Sequence, residues 1–253
     1  MIPKVEFKIS SIEHMINPIN RFLNPKKGDW NWSLDILNKY PELNIKLSKI
    51  KDISKREKVT KEFYQDFLMN NKEKLEEEKQ LFQEEWDTIN DKFMKTLSGI
   101  LDINWPRKDE KIIAYVSLNP ICPRYIKKRT FDIYHKGDIG WMKSVAMHEI
   151  LHFLWFEKWK QIFPKTSERH FDGPHLEWQL SEMVPKIILS DEKIQKIFKH
   201  KPGVYREYLA TKIDRRPLLS YIGKFYHEKK DFEDFVRKSW SFVQKYKKEI
   251  NKI

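Results

Sequence analysis

The chain carries a single cysteine, Cys122, among 253 residues. One thiol excludes an intramolecular disulfide and a cysteine-built zinc site, and it suits a reducing compartment. Seven glycines are too few for an architecture of glycine-rich loops that cradle nucleotide phosphates. No apolar run approaches the roughly 18 residues of a membrane span. The opening stretch MIPKVEFKIS has no apolar segment of the secretory type, so the expected location is the cytoplasm. Acidic side chains are in deficit, 37 against 49 basic ones, for a formal net charge of +12. Such an excess can serve a polyanion partner, a nucleic acid held through a basic surface. Here the lysines are spread along the chain instead of forming one block, and no helix-turn-helix, zinc-finger or RRM signature accompanies them.

Aromatic residues, by contrast, are plentiful at 14%, enough apolar mass to build a core. Alternation of Val5, Phe7 and Ile9 predicts a short strand, and helical spacing follows from Ser11 to about Leu23. Asn24-Pro25 and Gly28-Asp29 predict a loop, and Trp30 to Tyr40 a short helix stopped by Pro41. Residues 54–98 have apolar side chains three and four apart on a Lys- and Glu-rich background, as in one long helix or two broken near Asn70-Asn71. After Gly99 the character changes: residues 111–118 and 130–135 read as strands, with a turn-rich connection between them. Gly137 and Gly140 then precede a helix over about Trp141 to Lys160. A loop leads to a helix opening at Pro174 and reaching Glu182, which Pro185 should kink or end. Three or four more helices are expected from Ser190 onward. The one boundary this suggests separates a mainly helical region, 1–99, from a catalytic region, 100–253, that carries the C-terminal helices.

Within the 141–160 helix stands His148-Glu149-Ile150-Leu151-His152, an H-E-x-x-H sequence. Residues four apart lie one turn above each other on a helix face, so the two imidazoles can meet on one Zn2+ ion at about 2.0–2.1 Å. Glu149, beside the first ligand, is placed to take a proton from a zinc-bound water. This chemistry needs a third ligand. The metzincin pattern is excluded, because Trp155 and Lys158 stand where it requires glycine and histidine. A glutamate from the next helix is the alternative. Glu177 and Glu182 are five apart and point about 140° from one another, so only one can face the metal. Glu182 is favoured because it lies between Leu180 and Met183, deeper in the helix, with Glu177, His175 and His170 as the remaining candidates.

These features resemble the glu-zincins, the thermolysin-like peptidases. Those enzymes carry H-E-x-x-H on one helix and a ligating glutamate on the next, downstream of a sheet whose edge strand binds extended peptide. The resemblance covers roughly residues 110–190 and rests on His148, Glu149, His152 and Leu180-Ser181-Glu182. Two positions depart from it: Ser181 stands where asparagine is usual, and Lys186 where an acidic residue is usual. It implies an α+β, helix-dominated zincin-like catalytic domain with a small β-sheet beside the active-site helix. It also implies a zinc metallopeptidase that acts on a peptide or protein with Glu149 as general base. An oxyanion donor would come from His170, His175, Tyr205, Tyr208 or Tyr221, and Asp214 or Glu207 could orient the metal-binding imidazoles. Arg124 and Arg129 could grip a substrate carboxylate or a phosphate. Cys122, between prolines, reads as a small buried residue. The competing readings are a basic nucleic-acid-associated protein and a zincin-like protein whose metal is structural.

Overall fold

The computed structural model describes residues 2–25, 31–106 and 110–252. In chain order the elements are β1 (Lys4–Ile9), α1 (Ile12–Leu23), α2 (Ser33–Lys39), α3 (Pro41–Leu47), α4 (Ile53–Asn70), α5 (Lys72–Asp87) and α6 (Asn90–Leu101). Next come β2 (Lys111–Ser117), β3 (Arg124–Tyr125), β4 (Thr130–Tyr134), α7 (Ile139–Ile162) and α8 (Leu176–Ile188). The remainder is α9 (Glu192–Gln195), α10 (Arg206–Ala210), β5 (Lys212–Ile213), β6 (Arg216–Pro217), α11 (Leu218–His227), α12 (Phe232–Lys245) and α13 (Lys247–Ile250). The class is α+β and helix-dominated, as expected. No helix among the described residues is long and apolar enough to cross a membrane.

The chain groups into two compact units that interleave in sequence. One takes Lys4–Thr88 and Lys111–Val145; the other takes Ile89–Glu110 and Ala146–Ile253 with the first few residues. Residue 99, the boundary suggested by the change in sequence character, instead lies inside α6, and β1 pairs with β2 across it.

The first unit is built on a four-stranded sheet in the order β1-β2-β4-β3. β1, β2 and β4 are parallel, with Lys4 opposite Lys111 and Ile113 opposite Thr130, and β3 closes the far edge antiparallel to β4. Parallel strands need a crossover, which α1 to α6 supply between β1 and β2. The edge of β1 is finished by a side chain: the Gln83 amide donates to the Val5 carbonyl (3.0 Å) and accepts from Phe7 N–H (2.8 Å). That occupies backbone groups which an open edge would offer to another chain. Ser11 caps α1 by accepting from His14 N–H. Pro18 sits within α1 without ending it, and Pro41 opens α3 instead of merely stopping α2. Trp30, Gly28 and Asp29 lie outside the described residues. The 54–98 stretch is three helices, with a second break at Thr88-Ile89.

At the carboxyl ends of β2 and β4 this unit holds a polar cluster. The Tyr40 hydroxyl donates to the Leu118 carbonyl (2.6 Å), and His135 Nδ1 lies 3.0 Å from Glu78 Oε2. Burial, and then the charges of Lys136 and Lys74, pull His135 from its ordinary 6.5 down to about 4, so at neutral pH the uncharged ring donates to Glu78. A folded value below the unfolded one means that stability is full above pH 6.5 and drains as pH falls toward 4. At 1.36 kcal/mol per pH unit that gap is worth ~3 kcal/mol at most. Glu78, which burial raises above its ordinary 4.5, acts in the opposite direction and takes back part of it. The urea-unfolding free energy of the wild type should therefore fall more steeply between pH 7 and pH 4.5 than that of His135→Gln. Parallel profiles would remove His135 as the cause.

The second unit is helical around the C-terminal part of α7. Trp155 packs on Phe232 and Phe235, and Trp159 on Trp240. Lys158 Nζ donates to the carbonyl of Asp102 (2.8 Å), tying α7 to the end of α6. Pro185 lies inside α8, which runs on to Ile188. Beyond Ser190 the described residues form five helices, three of them only four or five residues long, and a hairpin. The β5–β6 turn places Asp214 and Arg215 at positive φ, as a two-residue hairpin turn requires.

Candidate metal centre

α7 extends over 24 residues, about 36 Å. Asp138 starts it by accepting from Trp141 N–H (2.8 Å). Gly137 is required just before, since a Cβ there would lie 2.0 Å from the Trp141 ring. Gly140, expected to precede the helix, lies within it. Ala146, Met147, Ile150, Leu151, Phe153, Leu154, Trp155 and Phe156 are all buried, so apolar residues occupy the whole circumference, the mark of a core helix. Polar groups in such a helix are costly unless something offsets their desolvation. His152 nevertheless has no exposed surface, and Glu149 is 8% exposed.

What His152 meets, together with His148, is Glu182 of α8, itself 2% exposed between fully buried Leu180 and Met183. Its Oε2 lies 3.4 Å from His148 Nε2, and its Oε1 lies 3.7 Å from His152 Nε2. One donor atom from each of the three residues falls within 4.8 Å of the other two. Ligands at about 2.05 Å in a tetrahedron stand about 3.3 Å apart, so the two histidine–carboxylate distances are close to what one zinc ion imposes. His148 is the open member, its side chain 19% exposed. Two imidazoles and a carboxylate are a donor set that fits Zn2+ and leaves a fourth position for water or substrate.

A column of rings backs this cluster. The His148 and His152 rings lie 4.7 Å apart, His152 stacks on Phe156 at 6.2 Å, and Phe156 stacks on Phe171 at 4.2 Å. These apolar neighbours keep water off the inner side, where charge interactions are stronger than in bulk solvent.

The other candidates divide. Glu177 does not join the cluster; its Oε1 holds His170 Nδ1 at 2.9 Å. His175 stacks on His170 at 4.4 Å and stands at the N-cap of α8. The Tyr221 hydroxyl donates to the Ile213 carbonyl, and Asp214 accepts from the Tyr246 hydroxyl. Tyr208 is fully buried, and burial, with the charges of Glu182 and Glu207 after it, raises its phenol far above the usual range. Ser181, where the resemblance leads one to expect asparagine, turns its hydroxyl back to the Trp178 carbonyl (2.7 Å). Lys186 reaches the Pro202 carbonyl (3.0 Å). Cys122 is buried, as its setting suggested, and is in no disulfide. Arg124 belongs to β3, and Arg129 is buried with a left-handed backbone. Phe156 and Phe171 had no signal as site residues, because a stacked aromatic looks like any other core residue until the fold is known. No protein-family model, characterised protein or solved structure matches the chain.

Proposed function

We propose that this chain is a zinc-dependent peptidase of the zincin type, a hydrolase that cleaves a peptide or protein substrate. The observation that carries the reading is the convergence of His148, His152 and Glu182 from two helices in a buried setting. His148, His152 and Glu182 would hold the ion, and Glu149 is the general base. When bound, zinc supplies a Lewis acid that lowers the pKa of water toward neutrality. Glu149 takes the proton of the attacking water and delivers it to the leaving amine. Its position next to His148 and its near-complete burial suit a base that must not be solvated away. Three donors converge among the described residues, which favours a catalytic over a structural ion, because structural sites are closed by a fourth protein ligand. A single buried cysteine suits a reducing compartment, and the proposed location is the cytoplasm.

Metal analysis of the purified chain, beside cleavage of a mixed peptide library, tests the reading. About one zinc per chain, with cleavage lost on chelation and restored by zinc, is the expected result. A chain that neither contains nor takes up zinc overturns it.

A further inference from the structure

We propose that one face of the four-stranded sheet binds the ammonium group of a small primary amine, through Asp132, Thr130 and Tyr125 beside His14. The site shares no residue with the metal centre and does not rest on the peptidase reading.

Strand register brings these residues together. Side chains alternate along a strand, so Thr130 and Asp132 of β4 share one face. Tyr125 of β3 is the register partner of Thr130, and Tyr115 of β2 that of Asp132, which puts both tyrosines on the same face. α1 lays His14 against this group. Its Nε2 lies 2.8 Å from Asp132 Oδ1, and its ring lies 4.3 Å from that of Tyr115 and 4.9 Å from that of Tyr125. Asp132 is fully buried, whereas His14, Tyr115 and Tyr125 are half-buried and form the mouth.

Three polar atoms on this face are buried and make no hydrogen bond among the described residues: Asp132 Oδ2, Thr130 Oγ1 and the Tyr125 hydroxyl. Native chains keep few such groups, because each one left unsatisfied costs free energy. Three of them on neighbouring side chains of a single face point to a ligand.

The kind of atom selects the ligand. All three can accept, and a primary ammonium carries three N–H donors. The Asp132 carboxylate supplies the countercharge that a buried cation requires, and tyrosine rings at the mouth favour a cation at their faces. Burial raises the Asp132 carboxyl above its ordinary range, against the pull of His14 and Ser117; a cation on Oδ2 would add to what His14 gives to Oδ1. A divalent metal fits less well. Ca2+ takes about 6–8 oxygens, where this face offers one carboxylate and two hydroxyls, and His14 and Asp132 belong to no group of three metal-ligating side chains among the described residues.

The test is a titration of the full chain with methylammonium chloride at constant pH, read from the His14 ring resonances by NMR, beside potassium chloride at equal concentrations. Saturable shifts with methylammonium and none with potassium are expected in the wild type. Thr130→Val and Tyr125→Phe keep the side-chain shapes and remove only a hydroxyl that bonds to nothing in the protein, so neither should lower the melting temperature. Each should weaken binding about tenfold or more, and Asp132→Asn should abolish it. If Asp132→Asn does not fold, the two hydroxyl variants decide. A wild type whose His14 resonances do not move overturns the proposal. So do equal shifts with potassium, which mean ionic strength alone, and an affinity within about twofold of wild type in both hydroxyl variants, which places the ammonium elsewhere.

Discussion

Glu149→Gln is expected to lower peptide hydrolysis by about 10²–10⁴-fold with zinc content unchanged. Glutamine matches glutamate in shape and can still accept a hydrogen bond, but it cannot take a proton. Glu149 is 8% exposed on a helix whose neighbouring turns are apolar, and it stands apart from the three converging donors, so its loss should leave the ion bound. Both quantities must therefore be read on the same preparation. A fall in rate with about one zinc per chain retained assigns the base. A fall accompanied by loss of zinc would make Glu149 a ligand instead, and a rate within about tenfold of wild type would place the base elsewhere.

The second large effect is on stability and has opposite signs with and without metal. His152 and Glu182 are sealed in a core that contains Leu180, Met183 and Phe156. Without an ion, burying a carboxylate costs several kcal/mol. Replacing both partners by apolar residues of similar size removes that cost, so metal-free His152→Leu/Glu182→Leu should be more stable than the metal-free wild type by about 1–4 kcal/mol. Zinc at one hundred times its dissociation constant should stabilise the wild type by ~2.7 kcal/mol and the double variant not at all. Denaturant unfolding of both proteins, with chelator and with zinc, gives the four values needed. A double variant that melts below the metal-free wild type would mean that the pair supports the fold in its own right, not merely that the fold tolerates it for the metal.

Much of this was legible in the sequence because periodicity survives folding. β1, β2 and β4 alternate or run apolar, α7 is apolar around its whole circumference, and His148 and His152 keep their four-residue spacing whatever surrounds them. Glu182 was distinguishable from Glu177 because the two point different ways on one helix, a local property. What escaped notice was short or depended on distant partners. β3, β5 and β6 have two residues each, too few for any period. Pro185 was a poor guide to a helix end, since a proline removes one N–H but packing can hold the helix through it. The interleaved units follow from the pairing of β1 with β2, which no local pattern announces.

The pairing of β1 with β2 also has a consequence in time. Lys4 and Lys111 are register partners, and 111 − 4 = 107 residues separate them. At roughly 5–20 residues per second of synthesis, β1 is made several seconds before any partner strand exists. During that interval an apolar strand would invite pairing with other nascent chains. Lys4, Glu6 and Lys8 on alternate positions guard against it, since charges along an unpaired strand discourage such pairing. The same residues that look like ordinary surface in the finished molecule serve as gatekeepers while it is being made.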